Sequence, residues 1–158
     1  MKKILISLLF AFVAVGASAQ FSQGTKYIGA SFTNLGLSYS KNNEFRFGIN
    51  LEGGYYVADC WMVRAYGGYE HAKHVDDVYL GAGLRYHFYQ NGIFLGAGLE
   101  YDHITKSSND LLIPVEVGYT FYLNHYLAIE PSVYYKMSTN DFADGSTVGL
   151  RIGLGYFF

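Results

Sequence analysis

The chain has 158 residues and a formal net charge of −2; it is 18% aromatic and only 15% charged, with nineteen glycines, two prolines and one cysteine. Soluble domains average about 25% charged residues, so this chain has too few to cover a surface facing water. Setting Lys2 and Lys3 aside leaves nine of the eleven basic residues against thirteen acidic ones, with no basic block, which argues against nucleic acid as a partner, and the lone Cys60 excludes an intramolecular disulfide.

Lys2 and Lys3 precede an apolar run from Ile4 to Val15, followed by Ala17, Ser18 and Ala19. This pattern predicts a cleaved secretory signal peptide over residues 1–19, because the run is shorter than the roughly 20 residues a membrane-spanning helix needs. The remainder, 20–158, is predicted to form one domain.

Along that domain, apolar and small or polar residues alternate again and again, and in a strand such alternation puts the two sets on opposite faces. Eight strands are predicted. The first, Lys26 to Ser40, sets Ile28, Ala30 and Phe32 on one face. Its phase slips near Thr33 and Asn34, as a bulge would cause, before Leu35, Leu37 and Tyr39 continue. The second, Phe45 to Tyr56, sets Phe47, Ile49 and Leu51 against Gly48, Asn50 and Glu52. The third, Cys60 to Glu70, sets Trp61, Val63 and Tyr69 against Arg64, Tyr66 and Gly68. The fourth sets Leu80, Leu84 and Phe88 against Gly81, Gly83 and Arg85, and the fifth sets Leu95, Leu99 and Tyr101 against Gly96, Gly98 and Glu100. The sixth sets Val115, Val117 and Tyr119 against Pro114, Glu116 and Gly118, and the seventh sets Ile129, Pro131 and Val133 against Glu130, Ser132 and Lys136. The eighth sets Val148, Leu150, Ile152, Leu154, Tyr156 and Phe158 against Gly149, Arg151, Gly153 and Gly155.

Short turns are predicted at Ala58-Asp59, Asn91-Gly92 and Asn124-His125, and longer polar stretches over His71 to Asp77, His103 to Asp110 and Ser138 to Ser146. An even number of roughly ten-residue strands with turns short at one end and long at the other predicts an all-β fold. It is an eight-stranded antiparallel up-and-down transmembrane β-barrel, with the short turns and both termini in the periplasm. The rival is a secreted barrel with its apolar phase inside. Volume decides between them: eight strands leave an interior just wide enough for side chains, and the charged phase is the one rich in glycine. Tyr86 and Phe88, Tyr119 and Phe121, and Tyr156 and Phe158 fall where an interfacial aromatic girdle belongs.

The inward phase then carries Glu52, Arg64, Arg85, Glu100, Glu116, Glu130 and Arg151, each about four to eight residues from a short turn, which places them in one belt. A three-residue loop from Val57 to Asp59 would set Glu52 directly opposite Arg64. The belt reads as a charge-paired plug, since buried charges must be paired; a narrow charge-lined conduit is the alternative. Pro114 and Pro131 predict a local bulge or a lost ladder bond, and together a weak seam.

Signs of chemistry are sparse. His71, His74, Asp76 and Asp77 read as a solvated loop rather than a metal site, and no cofactor or metal is expected. His103, Glu100, Thr105, Ser107 and Ser108 have no spacing that fixes a base on a nucleophile, so a hydrolytic, lipid-modifying enzyme is the weaker alternative.

Taken together, the leader, the eight alternating strands, the glycine-rich inward phase and the closing Leu154-Gly155-Tyr156-Phe157-Phe158 resemble the small outer-membrane β-barrel family of OmpA-, OmpX- and OmpW-type proteins. The resemblance implies a Gram-negative outer-membrane location among phospholipid and lipopolysaccharide, and a non-enzymatic structural or surface role, with loops available to an extracellular ligand. It implies a transient barrel-assembly partner that reads Tyr156 and Phe158. OmpW-like relatives imply, as the alternative, a narrow porin-like passage for small or hydrophobic solutes. With no peptidoglycan-binding domain after Phe158, wall tethering is not expected.

Overall fold

Strict alternation leaves each strand one apolar and one polar face, and a closed barrel is the arrangement that segregates them without an open edge. The computed structural model describes residues 21–33, 46–72, 75–89, 91–104, 110–139 and 146–158. The expected leader and the first strand's phase slip and continuation lie outside them. The described residues form eight strands: β1 Lys26–Thr33, β2 Arg46–Ala58, β3 Trp61–Ala72, β4 Val75–His87, β5 Ile93–Ile104, β6 in two segments Asp110–Tyr119 and Phe121–Tyr122, β7 Leu127–Ser138, and β8 Thr147–Phe157. Each pairs antiparallel with the next, and β8 returns to β1 from Tyr27↔Phe157 to Thr33↔Arg151, which closes the ring.

The apolar phase faces out. Leu80 is 69% exposed and Leu51 63%, whereas Glu52, Arg64 and Arg85 are buried. This overturns the water-soluble barrel with an apolar interior. Outward aromatics gather near the short turns, where Trp61 packs 4.9 Å from Tyr86 and Tyr119 4.2 Å from Phe121. Phe32, Phe47, Tyr69 and Tyr101 are exposed nearer the opposite end.

The turns depart from expectation in detail. The β2–β3 turn is Asp59-Cys60, one residue later than predicted, with Cys60 at φ +67° and a register shift between Tyr56 and Ala58. In that ladder Glu52 faces Tyr66 and Arg64 faces Gly54, so the predicted Glu52–Arg64 opposition is corrected to a diagonal. Asn91-Gly92 closes a longer loop. Phe88 N–H donates to Ile93 O at 2.8 Å, and Gly92 takes the left-handed backbone, at φ +69°. Asn124 Oδ1 accepts the N–H groups of Tyr126 and Leu127, both at 2.8 Å, and so templates its own turn. The long loop expected over His71 to Asp77 is instead largely ladder, with Glu70 facing Asp77 and Ala72 facing Val75. Alternation persists there because Glu70 and Asp77 take the luminal side.

Cys60 is 7% exposed, and burial, helped by nearby Asp59, raises its thiol above the ordinary value. Maleimide labelling at neutral pH is therefore expected to be slow in the folded barrel and fast in urea; rapid labelling of the folded form would contradict this turn.

Both prolines cost ladder rungs. The β5–β6 register skips from Ala97↔Val115 to Glu100↔Leu112, so Pro114 opens a gap without changing the register. Pro131 keeps its partner Ile152 on β8, but the β6–β7 pairing stops at Gly118↔Ser132 and resumes at Phe121↔Ile129. A missing N–H explains each gap, and the second one divides β6.

Candidate functional site: the luminal charge layers

The interior is stacked in three tiers. At the short-turn end, the segment before β1 folds across the barrel mouth. Cys60 N–H donates to Phe21 O at 2.8 Å and Gly24 N–H to Tyr56 O at 2.9 Å. Phe21, 1% exposed, stacks on His87 at 4.3 Å and packs against Tyr56, Tyr122 and Phe157. The Tyr56 hydroxyl lies 3.1 Å from His87 Nδ1. No strand pattern in the sequence signals this plug, because Phe21 precedes the first strand.

Above it lies the ionic tier. Glu116, on β6, is its hub: Oε1 lies 2.8 Å from Arg64 and 2.9 Å from Arg85, and Oε2 lies 3.1 Å from Arg151. Glu52 lies 3.0 Å from Arg64 and 3.1 Å from Arg85, and Glu130 lies 3.2 Å from Arg85. The Thr120 hydroxyl donates to Glu130 at 3.0 Å, and the Tyr27 hydroxyl sits between the two acids, 2.9 Å from Glu52. Aromatic faces cover the guanidiniums: Phe94 lies 4.4 Å from Arg85, Tyr66 5.0 Å from Arg64, and Tyr134 5.0 Å from Arg151. Three carboxylates from β2, β6 and β7 thus meet three guanidiniums from β3, β4 and β8, and the desolvated charges balance.

Glycine makes the fit possible. A Cβ on Gly96 would lie 2.7 Å from Glu116 Cγ and 3.0 Å from an Arg64 nitrogen, and both side chains are pinned by their ion pairs. Gly96→Ala is expected to destabilise the refolded barrel by about 1–3 kcal/mol in urea titrations; a neutral effect would mean that the tier has slack.

Glu100 does not belong to that tier. It sits four positions beyond Gly96, the residue facing Glu116, which is about 13 Å further along the strand. Its partner is Lys136, at 2.7 Å, which also approaches Glu70 at 3.5 Å. Counting from turns merged two tiers because it ignored the stagger that closes a barrel. Lys136, Glu70, Asp77 and Asp102 form this upper tier with Glu100; their inward phase was the signal for them.

Other candidates do not converge. His103 and His71 are exposed on the outer face, whereas Glu100 and Asp77 point inward. His74, Thr105, Ser107 and Ser108 lie outside the described residues. Tyr156 and Phe158 are both exposed outward, and Phe158 locks β8 to the start of β1 through reciprocal bonds with Lys26 at 2.8 and 2.9 Å.

Known structures share this architecture. The N-terminal β-barrel domain of Pseudomonas aeruginosa OprF is 17% identical with a TM-score of 0.69, covering 86% of this chain and 98% of that one. Neisserial surface protein A is 14% identical with a TM-score of 0.64, covering 85% and 96%. The Yersinia pestis outer membrane protein Ail in a phospholipid bilayer nanodisc is 14% identical with a TM-score of 0.58, covering 86% and 100%. No protein-family model and no curated protein sequence matches the chain. The fold is the eight-stranded barrel of small outer-membrane proteins.

Proposed function

We propose that this is an integral outer-membrane barrel with a closed lumen and a non-enzymatic structural or surface-interaction role exercised from its loop end. The observation that carries this reading is the double seal: a charge-balanced Glu–Arg tier resting on an aromatic plug centred on Phe21. An eight-stranded interior has little space beyond its own side chains, and here those side chains pair with one another across it. The exposed apolar belt suits phospholipid and lipopolysaccharide acyl chains, with the aromatic rows at the interfaces. In this reading the short turns lie in the periplasm and the loop end meets any extracellular ligand.

The barrel-assembly machinery is the proposed transient partner, reading Tyr156 and Phe158. Phe158→Ala is expected to reduce the assembled fraction in cells while leaving refolding of the purified chain into detergent unchanged. Equal loss in both settings would make Phe158 a stability residue rather than a signal.

Location is tested by cell fractionation with gel migration before and after heating. The reading expects an outer-membrane species whose mobility changes on heating; recovery as a soluble periplasmic protein would overturn it.

A further inference from the structure

Arg64, Arg85, Lys136 and Arg151 are buried in the lumen, which leaves Lys26, exposed at the start of β1, as the one lysine or arginine facing outward among the described side chains. A cation on the lipid face of a barrel is tolerated only near the interface, where its stem can carry it to the headgroups. Lys26 meets that condition. It stands at the short-turn end, its ladder partner is Tyr55, and its main chain exchanges two hydrogen bonds with Phe158 across the β1–β8 seam.

The surroundings of this ammonium are aromatic rather than acidic. It lies 5.8 Å from the centre of the Phe158 ring. Tyr156 packs 5.9 Å from Phe158 and stacks 6.0 Å from Tyr126, and Tyr55, Phe158, Tyr156 and Tyr126 are each about half exposed. The four luminal cations all have carboxylate partners, whereas none of the described carboxylates pairs with the Lys26 ammonium. Further along β1 and β8 the same outward face continues through exposed Ile28, Leu154 and Ile152. An uncompensated cation, phenol hydroxyls and an apolar track therefore follow one another in the order of a phospholipid's phosphate, ester oxygens and acyl chains.

We propose that the β1–β8 seam binds one anionic phospholipid of the periplasmic leaflet, its phosphate on the Lys26 ammonium and its chains along the two strands. A headgroup with net negative charge is selected over a zwitterionic one, because the Lys26 ammonium already covers the Phe158 ring on which a headgroup ammonium would stack. This deepens the outer-membrane reading and rests on it, yet the two fail separately: fractionation reports location, and lipid preference is read on the purified barrel.

The test is native mass spectrometry of the full refolded barrel in a non-ionic detergent, offered equal amounts of dioleoyl phosphatidylglycerol and dioleoyl phosphatidylcholine. Single-lipid adducts are expected to favour phosphatidylglycerol by about fivefold, the worth of one lysine at an anionic lipid surface. Lys26→Gln should remove the preference and Lys26→Arg retain it, with the heat-dependent gel shift of both variants unchanged, since the ammonium makes no ion pair of the fold. Wild-type adducts without a phosphatidylglycerol excess, an excess undiminished in Lys26→Gln, or an equal loss in Lys26→Arg would each overturn the proposal.

Discussion

Glu116→Ala is expected to lower the unfolding free energy of the refolded barrel by about 3–5 kcal/mol, the cost of leaving buried charge unpaired. Among the described residues Glu116 alone contacts all three of Arg64, Arg85 and Arg151, and it is the only ion-pair partner of Arg151 among them. Its loss leaves three guanidiniums against Glu52 and Glu130, a net buried charge. Glu52→Ala should cost less, since both of its arginines retain Glu116. Urea unfolding followed by Trp61 fluorescence measures both. A loss under about 1 kcal/mol for Glu116→Ala would mean that water already reaches this tier, against the plug.

Leu80→Arg is expected to cost about 2–4 kcal/mol in a lipid bilayer, the penalty for a cation near the middle of a barrel's lipid face. Leu80 lies at the centre of β4, is 69% exposed, and is flanked on the ladder by Gly67 and Tyr101, neither of which carries a countercharge for a guanidinium. In water the same substitution would be nearly neutral, because an exposed arginine is then solvated. The comparison of folding into vesicles for Leu80→Arg and Leu80→Ala isolates the effect of the charge. Equal stabilities would contradict a lipid-facing β4.

Much of the fold was legible because each strand repeats one simple signal. Leu80 and Leu84 against Gly81, Gly83 and Arg85 states both the strand and its inward face, and excluding the apolar phase from a narrow interior required only volume. What alternation could not give was height. Glu100 and Glu116 share a phase but not a tier, because stagger between strands is set by turn lengths and bulges such as those at Tyr56 to Cys60. The Asp59-Cys60 turn was misplaced by one residue because its left-handed position is occupied by cysteine rather than glycine or asparagine. Pro114 and Pro131, in contrast, announced their lost rungs directly, since no other residue lacks the donor. Phe21 was illegible because its role depends on a mouth assembled from four strands distant in sequence.

The central claim is that the lumen is sealed, and single-channel recording across a planar bilayer tests it most directly. The folded wild-type barrel, its insertion verified by the heat-dependent gel shift, is expected to give no open steps, and Phe21→Ala combined with Arg85→Ala to give measurable ones. Reproducible wild-type steps whose ion selectivity changes in Arg85→Ala alone would contradict the seal and make the ionic tier the filter of a conducting pore.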